Sequence, residues 1–480
     1  MKFSRLFPLV LCLALPVEAR RFDELEQCKL PTIGLGTKAD ARCLSVNVPM
    51  DYRVRAGETM TLSVKILPAI DRAFEPDPLF FLAGGPGQAA SEVWGLMGSA
   101  LQSINRRRDI VLVDQRGTGD SNPLQCESED ELVAISVEES LKIIQSCLET
   151  FDVDLGLFTT REAVEDLEKV RRELGYDRVN VLGVSYGTRV AQRWAKAYPG
   201  SIRTMILDGV VPLDFSVGEA ISLDADRALT LLIERCQTEP GCDEAFPDLR
   251  RRFLALLNGL EEKPRPLEMT DPTTGEIHAF TLEASDVALI VRLLSYSPET
   301  SALIPLMIEE SIQGKPESLV AMGTVVAGSL DSLYQGMFFS VLCAEDLPFV
   351  DIDAVVEAAR DTYAKGSPIR DFSVICDAWP SQPMPAEYRE PLASNIPTLL
   401  FSGEADPVTP PKYGERVAAG LSESLHLVAP TMAHNISIRG CAPKLVQKFL
   451  ELGSVDELDG SCIDELRAMP FFVNRVGPQP

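Results

Sequence analysis

Short apolar runs rich in branched residues alternate with helix-like stretches along this chain. Eight runs have the length of buried strands: Cys43–Val48, Met60–Leu67, Leu79–Leu82, Ile110–Val113, Val179–Val184, Met205–Leu207, Thr398–Phe401 and His426–Val428. From the fourth run onward, stretches with helical spacing separate the runs, as in Arg161–Leu174 and Tyr186–Tyr198. Strands that alternate with helices are typical of a parallel sheet with crossover helices. The pattern therefore predicts an α/β protein with a mostly parallel, eight-stranded sheet.

The pattern changes between Pro212 and Pro391, where amphipathic helical segments replace the apolar runs. The clearest segments are Leu223–Cys236, Leu249–Leu260, Ala284–Tyr296 and Ile352–Tyr363. A single core stops growing beyond roughly 250–300 residues, and the chain has 480. We therefore expect a mainly helical cap of residues 213–390, inserted between strands 6 and 7 of a sheet domain formed by residues 20–212 and 391–480.

The amino terminus has the features of a secretory signal peptide. Basic residues precede the apolar run Leu6–Val17, and Val17-Glu18-Ala19 has small residues at the two positions that a signal peptidase inspects. We expect residues 1–19 to be removed and the protein to be periplasmic or secreted. A lipid anchor at Cys12 is the weaker alternative, because the bulky Leu11 precedes it. The run is too short to span a bilayer, so no membrane insertion is expected.

Cysteine usage agrees with export. The chain has 11 cysteines, and loss of Cys12 leaves an even number, which suits disulfide pairing in an oxidising compartment. Neighbours in sequence suggest the following pairs, although sequence alone leaves the connectivity open: Cys28–Cys43, Cys126–Cys147, Cys236–Cys242, Cys343–Cys376 and Cys441–Cys462.

Composition and charge exclude several classes of partner. The formal net charge of −26 disfavours nucleic acid and anionic membranes. The sequence has no CxxC or HExxH motif and only three histidines, so we expect no metal and no cofactor. The acidic surface favours solubility, and it would also suit cationic substrates.

One segment has the pattern of a nucleophilic serine. Gly183-Val184-Ser185-Tyr186-Gly187 follows the run Val179–Val184 and precedes a helical stretch. A strand, a Gly-x-Ser-x-Gly turn and a helix form the sharp bend that exposes the catalytic serine of an α/β-hydrolase. A lone serine between glycines is often only a turn, but here both flanking elements are present. We therefore interpret Ser185 as the nucleophile.

A serine needs a base and an orienting carboxylate. His434 lies just after the last strand run, where an α/β-hydrolase has its base, whereas His426 is inside that run and His278 is expected in a turn of the insertion. Asp406 follows the seventh run and is the preferred carboxylate, with Glu404 as its rival. The order serine, aspartate, histidine is that of α/β-hydrolases.

The oxyanion of the tetrahedral intermediate needs backbone N–H donors. The third apolar run, Leu79–Leu82, ends in the glycine-rich loop Ala83-Gly84-Gly85-Pro86-Gly87, which can expose N–H groups because its glycines carry no side chains to block them. We expect Gly85 to supply one donor and Tyr186, directly after the nucleophile, to supply the other. No P-loop lysine or Rossmann spacing follows, so a phosphate site is not indicated.

Four segments together resemble the prolyl aminopeptidase and tripeptidyl aminopeptidase family of α/β-hydrolases, over about residues 40–450. They are Ala83–Gly87, Asp114-Gln115-Arg116-Gly117-Thr118-Gly119-Asp120-Ser121, Gly183–Thr188 and Gly403-Glu404-Ala405-Asp406-Pro407-Val408-Thr409-Pro410. The resemblance implies a serine peptidase that releases residues, proline-containing peptides or tripeptides from the free amino end of peptide substrates, beneath a helical cap. Such an enzyme needs an anion for the substrate's ammonium, and Glu345, with Asp346 second, is the candidate.

Two other functions remain open. An exported carboxylesterase or lipase would use the same triad, since one constellation hydrolyses both esters and amides. A non-catalytic α/β-hydrolase used for binding is the alternative outside enzymes, although such proteins typically lose triad members and this chain retains all three candidates. Epoxide hydrolases and dehalogenases of this fold have an aspartate at the position of Ser185.

Overall fold

The computed structural model describes residue 22, residue 275 and residues 24–30, 39–126, 137–270, 277–327 and 332–478. The predicted signal peptide, residues 1–19, lies outside the described residues. Within these ranges no helix is both long enough and apolar enough to cross a membrane.

A nine-stranded sheet forms the centre of the molecule, with strand order β1-β2-β3-β5-β4-β6-β7-β10-β11. Its strands are β1 (Glu26–Lys29), β2 (Asp40–Pro49), β3 (Thr59–Leu67), β4 (Leu79–Leu82), β5 (Ile110–Val113), β6 (Val179–Val184), β7 (Ile202–Asp208), β10 (Thr398–Gly403) and β11 (Ser424–Ala429). The adjacent strands β5, β4, β6, β7, β10 and β11 pair in parallel, in that order. The first three strands and β5 pair antiparallel. The mostly parallel α/β sheet is therefore confirmed.

The strand count is corrected from eight to nine. The eight predicted runs coincide with β2–β7, β10 and β11, and the added strand is β1, whose sequence is Glu-Gln-Cys-Lys. This edge strand is mostly exposed and polar, so no apolar pattern marks it. It pairs with β2 and is linked to that strand by the disulfide Cys28–Cys43.

Helices cover both faces of the sheet. The α-helices are α1 (Ala90–Met97), α2 (Gln102–Asn105), α3 (Val137–Leu148), α4 (Thr160–Glu173), α5 (Tyr186–Ala197), α6 (Ile221–Thr238), α7 (Pro240–Ala245), α8 (Leu249–Glu262), α9 (Ala284–Leu294), α10 (Pro298–Ser301), α11 (Ile304–Ile312), α12 (Glu317–Ala327), α13 (Gln335–Val341), α14 (Ile352–Ala358), α15 (Ser367–Ala378), α16 (Pro411–Ala418) and α17 (Ala442–Leu452). A π-helical turn spans Leu342–Asp346, and 3₁₀ turns span Leu155–Leu157, Pro199–Ser201, Leu347–Phe349, Ala386–Arg389 and Ser461–Glu465.

The buried strand β4, Leu-Phe-Phe-Leu, shows how the layers form. Phe80 packs on one face with α4 and α5, where Trp194 lies 5.4 Å from its ring. Phe81 packs on the other face with α1 and α17, where Trp94 lies 5.3 Å from its ring. A strand that is buried on both faces has a continuous apolar sequence, which is why these runs were predictable.

The helices α6–α15 lie between β7 and β10, and we keep the name cap for residues 213–390. The cap has an apolar core of its own, which includes Phe253, Val287 and Tyr363. It also contains an antiparallel hairpin, β8 (Arg265–Thr270) and β9 (Ile277–Leu282). His278 therefore lies on a strand and not in the expected turn.

The described residues contain five disulfides, and these are the five pairs predicted from neighbouring positions. Each cysteine pairs with its partner in sequence order: Cys28–Cys43, Cys126–Cys147, Cys236–Cys242, Cys343–Cys376 and Cys441–Cys462. The fourth links the π-helical turn to α15 within the cap. This number of disulfides is typical of proteins from an oxidising compartment, outside the cytosol.

Candidate active site

Ser185 occupies a sharp turn between β6 and α5. Its backbone has φ 54° and ψ −122°, a conformation that non-glycine residues rarely adopt. The flanking glycines are needed because backbone passes very close to them. A Cβ added at Gly183 would lie 2.4 Å from the Gly187 carbonyl oxygen. A Cβ added at Gly187 would lie 2.2 Å from the Leu82 carbonyl oxygen. The turn therefore has the geometry of the nucleophile bend that the motif predicts.

Asp406 and His434 lie in the loops after β10 and β11. Their side chains form a hydrogen bond, with 2.7 Å between His434 Nδ1 and Asp406 Oδ2. The Val408 and Thr409 N–H groups each donate to Asp406 Oδ1 at 2.8 Å, and the Thr409 hydroxyl donates to Oδ2 at 2.7 Å. Both members of the pair are buried. The carboxylate is thus fixed by four donors and orients the imidazole.

The electrostatics of the pair follow from burial and mutual attraction. Burial opposes ionisation of Asp406, but the adjacent His434 and the donors from Thr409 and Val408 hold the pKa of this carboxyl below its ordinary value. Burial likewise opposes protonation of His434, but the Asp406 carboxylate raises the pKa of the imidazole above its ordinary 6.5. The pair therefore favours the imidazolium that forms when a base removes a serine proton.

The backbone after β7 places this pair beside Ser185. The Ser185 N–H donates to the Asp208 carbonyl oxygen at 2.8 Å. The next residue is Gly209, where an added Cβ would lie 2.6 Å from Cε1 of His434. The Asp208 carboxylate accepts from the N–H groups of Ile436 and Ser437, at 2.9 and 2.8 Å. Asp208 therefore anchors the loop that carries the histidine.

The rival residues have other partners. The Glu404 carboxylate accepts from the Thr431 N–H at 2.8 Å and so braces the same loop. His426 lies on β11, 2.9 Å from the Ser402 hydroxyl, and burial lowers its pKa. Among the contacts of the described residues, neither the Glu404 nor the His426 side chain touches Asp406 or His434. The geometry thus favours Asp406 over Glu404.

The candidate oxyanion donors flank the nucleophile. Gly85 follows β4 with φ 102°, and an added Cβ on Gly84 would lie 3.1 Å from the Ser185 Cβ. Tyr186 is the first residue of α5, so its N–H has no acceptor within the helix. The cap covers this loop, since the Tyr334 N–H donates to the Gly87 carbonyl at 2.8 Å.

Side chains of the Asp-Gln-Arg-Gly-x-Gly-x-Ser segment form buried hydrogen bonds with neighbouring elements of the sheet domain. Asp114 accepts from the N–H and hydroxyl of Ser91, in the first turn of α1, and from Lys65 Nζ at 2.8 Å. Arg116 donates to both carboxylate oxygens of Asp166, at 2.7 and 2.8 Å. All of these side chains are buried. The most specific motif of the sequence therefore has a structural role next to the glycine-rich loop.

Glu345 and Asp346, the candidates for binding a substrate ammonium, lie in the π-helical turn of the cap. Only 4% of Glu345 and none of Asp346 is exposed. Glu345 accepts from the N–H and hydroxyl of Thr160, at 2.6 and 2.8 Å, and Asp346 lies 3.0 Å from Arg189 Nη2. Both carboxylates are therefore buried in the cap near charged and polar protein groups, and binding of a substrate ammonium by Glu345 or Asp346 stays a prediction.

Comparison with known proteins agrees with the fold and the motifs. A family model described as alpha/beta hydrolase fold matches residues 77–231, and a model described as TAP-like protein matches residues 365–462. Together the two matches cover more than half of the chain. The first contains the candidate nucleophile, and the second contains the candidate acid and base.

Three curated relatives have named activities. The serine protease Hip1 of Mycobacterium tuberculosis (strain ATCC 25618 / H37Rv) is 24% identical over 462 residues, which cover 88% of this chain and 87% of the relative. The tripeptidyl aminopeptidase of Streptomyces lividans is 28% identical over 214 residues, 39% of this chain and 38% of the relative. Carboxylesterase B of Mycobacterium tuberculosis (strain CDC 1551 / Oshkosh) is 28% identical over 423 residues, 80% of this chain and 79% of the relative. The chain therefore belongs to the TAP-like family of α/β-hydrolases and is a serine hydrolase of that fold.

Proposed function

We propose that this protein is a periplasmic or secreted serine peptidase that removes residues or short peptides from the free amino end of peptide substrates. The observation that carries the proposal is the hydrogen-bonded pair of His434 and Asp406, beside the strained turn of Ser185. Tripeptides and proline-containing peptides are the products that the family resemblance favours. The five disulfides support export.

The arrangement suits acyl transfer. With the Nδ1–H of His434 donating to Asp406, Nε2 is free to take the proton of the Ser185 hydroxyl as its oxygen attacks the scissile carbonyl. The N–H groups of Gly85 and Tyr186 stabilise the resulting oxyanion. The C–N bond then breaks, and His434 gives its proton to the leaving amine. Water, deprotonated by the same histidine, hydrolyses the acyl-enzyme and restores the serine.

The closed cap favours short substrates over folded proteins. Only 6% of His434 is exposed, and its backbone N–H donates to the carbonyl oxygen of Tyr296 in the cap at 3.1 Å. On the opposite side, the Leu333 side chain of the cap lies against Gly85, only 3.0 Å from the position that a Cβ on this glycine would take. Cap residues therefore lie close to both the base and the oxyanion loop. Peptides with a free end fit this enclosure better than internal segments of a folded chain.

An esterase is the second candidate, because one long relative is named carboxylesterase B. The same serine, base and oxyanion donors hydrolyse esters without change of geometry. A carboxylesterase has no need of a free amino group on its substrate. The two functions therefore differ in their response to blocking of that group.

A panel of fluorogenic substrates tests the proposal. One-, two- and three-residue aminoacyl anilides are compared with free and acetylated amino ends, alongside simple acyl esters. We expect the free-amino anilides to be preferred by at least about tenfold, which corresponds to about 1.4 kcal/mol of additional transition-state binding from an ion pair with the ammonium. Equal turnover of blocked and free substrates, with faster ester hydrolysis, would favour the esterase. Ser185→Ala is the control and is expected to abolish turnover of every substrate.

A further inference from the structure

A chain of buried hydrogen bonds joins the cap to the residue directly after the nucleophile. The hydroxyl oxygens of Tyr186 and Thr160 are 2.7 Å apart, and the Thr160 hydroxyl donates to Glu345 Oε2 at 2.8 Å. The Thr160 N–H donates to the other oxygen of Glu345, Oε1, at 2.6 Å. All three residues are buried. The chain therefore begins in the π-helical turn of the cap, passes the start of α4 and ends on the first residue of α5.

The direction of each bond follows from the donors available. Burial raises the pKa of Glu345, and the Arg189 guanidinium, 4.0 Å from Oε2, opposes that rise by favouring the ionised carboxylate, which only accepts hydrogen bonds. The single hydroxyl proton of Thr160 is given to Glu345, so Tyr186 must donate its own to Thr160. Burial raises the pKa of Tyr186, which keeps this donor protonated. The Tyr186 hydroxyl therefore donates its proton to the Thr160 hydroxyl oxygen.

The same turn of the cap holds α5 at a second point. Arg189, three residues after Tyr186 and on the same side of the helix, lies 3.0 Å from Asp346 Oδ1 and donates to the Phe215 carbonyl at 2.7 Å. The Arg389 guanidinium donates to the backbone carbonyl of Glu345 at 2.9 Å, which fixes the turn itself. The cap thus holds the first turn of α5 at two residues: at Tyr186 through Thr160, and at Arg189 directly.

We infer that Thr160 and Glu345 are positioning residues for the oxyanion hole. Through the Tyr186 hydroxyl they hold the first turn of α5, and with it the Tyr186 N–H, in the orientation that the oxyanion requires. Because Glu345 belongs to the cap, this support exists only while the π-helical turn is docked on α4 and α5. The inference rests on the proposed function, since it takes the Tyr186 N–H as an oxyanion donor.

Three substitutions test the chain of hydrogen bonds from Glu345 to Tyr186. Thr160→Val keeps the shape of the side chain but removes the hydroxyl, Thr160→Ser keeps the hydroxyl, and Tyr186→Phe removes the donor. We expect kcat to fall about tenfold in Thr160→Val and Tyr186→Phe with KM nearly unchanged, a smaller loss than the roughly 10²–10³-fold seen when an oxyanion donor itself is removed. Thr160→Ser should restore most of the activity.

A peptide aldehyde provides a readout that a merely structural role would not move. Its adduct with the serine carries the oxyanion, so the aldehyde resembles the transition state. We expect its affinity to fall in proportion to kcat in Thr160→Val and Tyr186→Phe, while the affinity of a peptide that lacks the reactive carbonyl stays constant.

Tyr176→Phe is the matched control. Its hydroxyl donates to the buried carboxylate of Asp109 at 2.8 Å, at the start of β5 and so at the opposite edge of the sheet from Ser185. This variant should lower the melting temperature without changing kcat.

If both test variants retain wild-type kcat and aldehyde affinity, or lose only thermal stability as the control does, the inference is wrong. Should Thr160→Val fail to fold, Tyr186→Phe alone decides the matter, because it removes a single oxygen atom. The proposed function fails separately, when Ser185→Ala continues to hydrolyse the substrates.

Discussion

At the scale of single residues, the structure adds partners to the catalytic groups that the sequence indicates. The sequence predicts Ser185, Asp406 and His434 as a triad because their motif, spacing and order are specific, and in the structure Asp406 and His434 are hydrogen-bonded. Thr409 and Asp208 were not singled out, because their roles depend on hydrogen bonds between loops that adjoin only in the folded chain. For Glu345 the sequence shows the charge but not the burial or the contact with Thr160, so its role toward the substrate ammonium stays a prediction.

The Thr409 hydroxyl is expected to contribute to catalysis through Asp406. It donates to Oδ2, the oxygen that also accepts from His434, and lies 3.1 Å from the histidine Nδ1. Loss of a hydrogen bond to a charged group costs about 1.5–3 kcal/mol. Thr409→Val should therefore lower kcat/KM by about tenfold or more in steady-state assays, and Thr409→Ser should stay close to wild type. A Val variant with unchanged kcat/KM would show that the hydroxyl has no such role.

The pH dependence follows from the raised pKa of His434. The imidazole must be neutral to accept the serine proton, so kcat/KM falls as the pH decreases through its pKa. Because Asp406 raises that pKa above the ordinary 6.5, the acidic limb of the pH profile should have its midpoint above 6.5. In Asp406→Asn the residual activity should show a lower midpoint. An acidic limb well below 6.5 in the wild-type enzyme would contradict this account.

At the scale of secondary structure, apolar runs predicted the bounds of β4, β5 and β6 residue for residue, and the other five predicted runs lie within longer strands. Strands β4, β5 and β6 are buried along their whole length, so their composition alone marks them. The edge strand β1 and the hairpin β8–β9 were missed, because an exposed strand carries polar side chains and its pairing depends on a partner elsewhere in the chain.

The packing of α5 against β4 depends on Gly187. A Cβ at this position would lie 2.2 Å from the Leu82 carbonyl oxygen, so helix and strand would have to separate. Gly187→Ala should therefore destabilise the protein by about 1–3 kcal/mol or more in urea unfolding, and lower kcat as the turn of Ser185 shifts.

Gly259→Ala is the control for that substitution. Gly259 lies within α8, where an added Cβ meets no atom within 4 Å. Alanine favours helix over glycine by about 0.5–1 kcal/mol, so this variant should be stabilised and fully active. If the two variants unfolded at the same urea concentration, close packing at Gly187 would not explain the motif.

At the scale of the whole molecule, the sequence predicted a sheet domain with a helical insertion and the five disulfides, since short separations along the chain make adjacent cysteines natural partners. How the cap docks was beyond prediction, because the contacts of Glu345 with Thr160 and of Leu333 with the glycine-rich loop join segments far apart in sequence.

The disulfides are expected to stabilise the fold according to the loops they close. Cys343–Cys376 spans 33 positions and Cys236–Cys242 spans 6. In the chain-entropy model, removal of the first pair by double alanine substitution should cost about 4 kcal/mol and removal of the second about 2 kcal/mol. Urea unfolding of the two variants measures the difference. A larger loss for the shorter loop would mean that local packing outweighs loop entropy.

Covalent labelling of the nucleophile tests the central claim most directly. The protein is treated with a fluorophosphonate, and the modified peptide is identified by mass spectrometry while hydrolysis of a free-amino anilide is followed in parallel. We expect one adduct, on Ser185, with loss of activity in proportion to labelling and no adduct in Ser185→Ala. Labelling of a different residue, or hydrolysis that survives complete modification of Ser185, would contradict it.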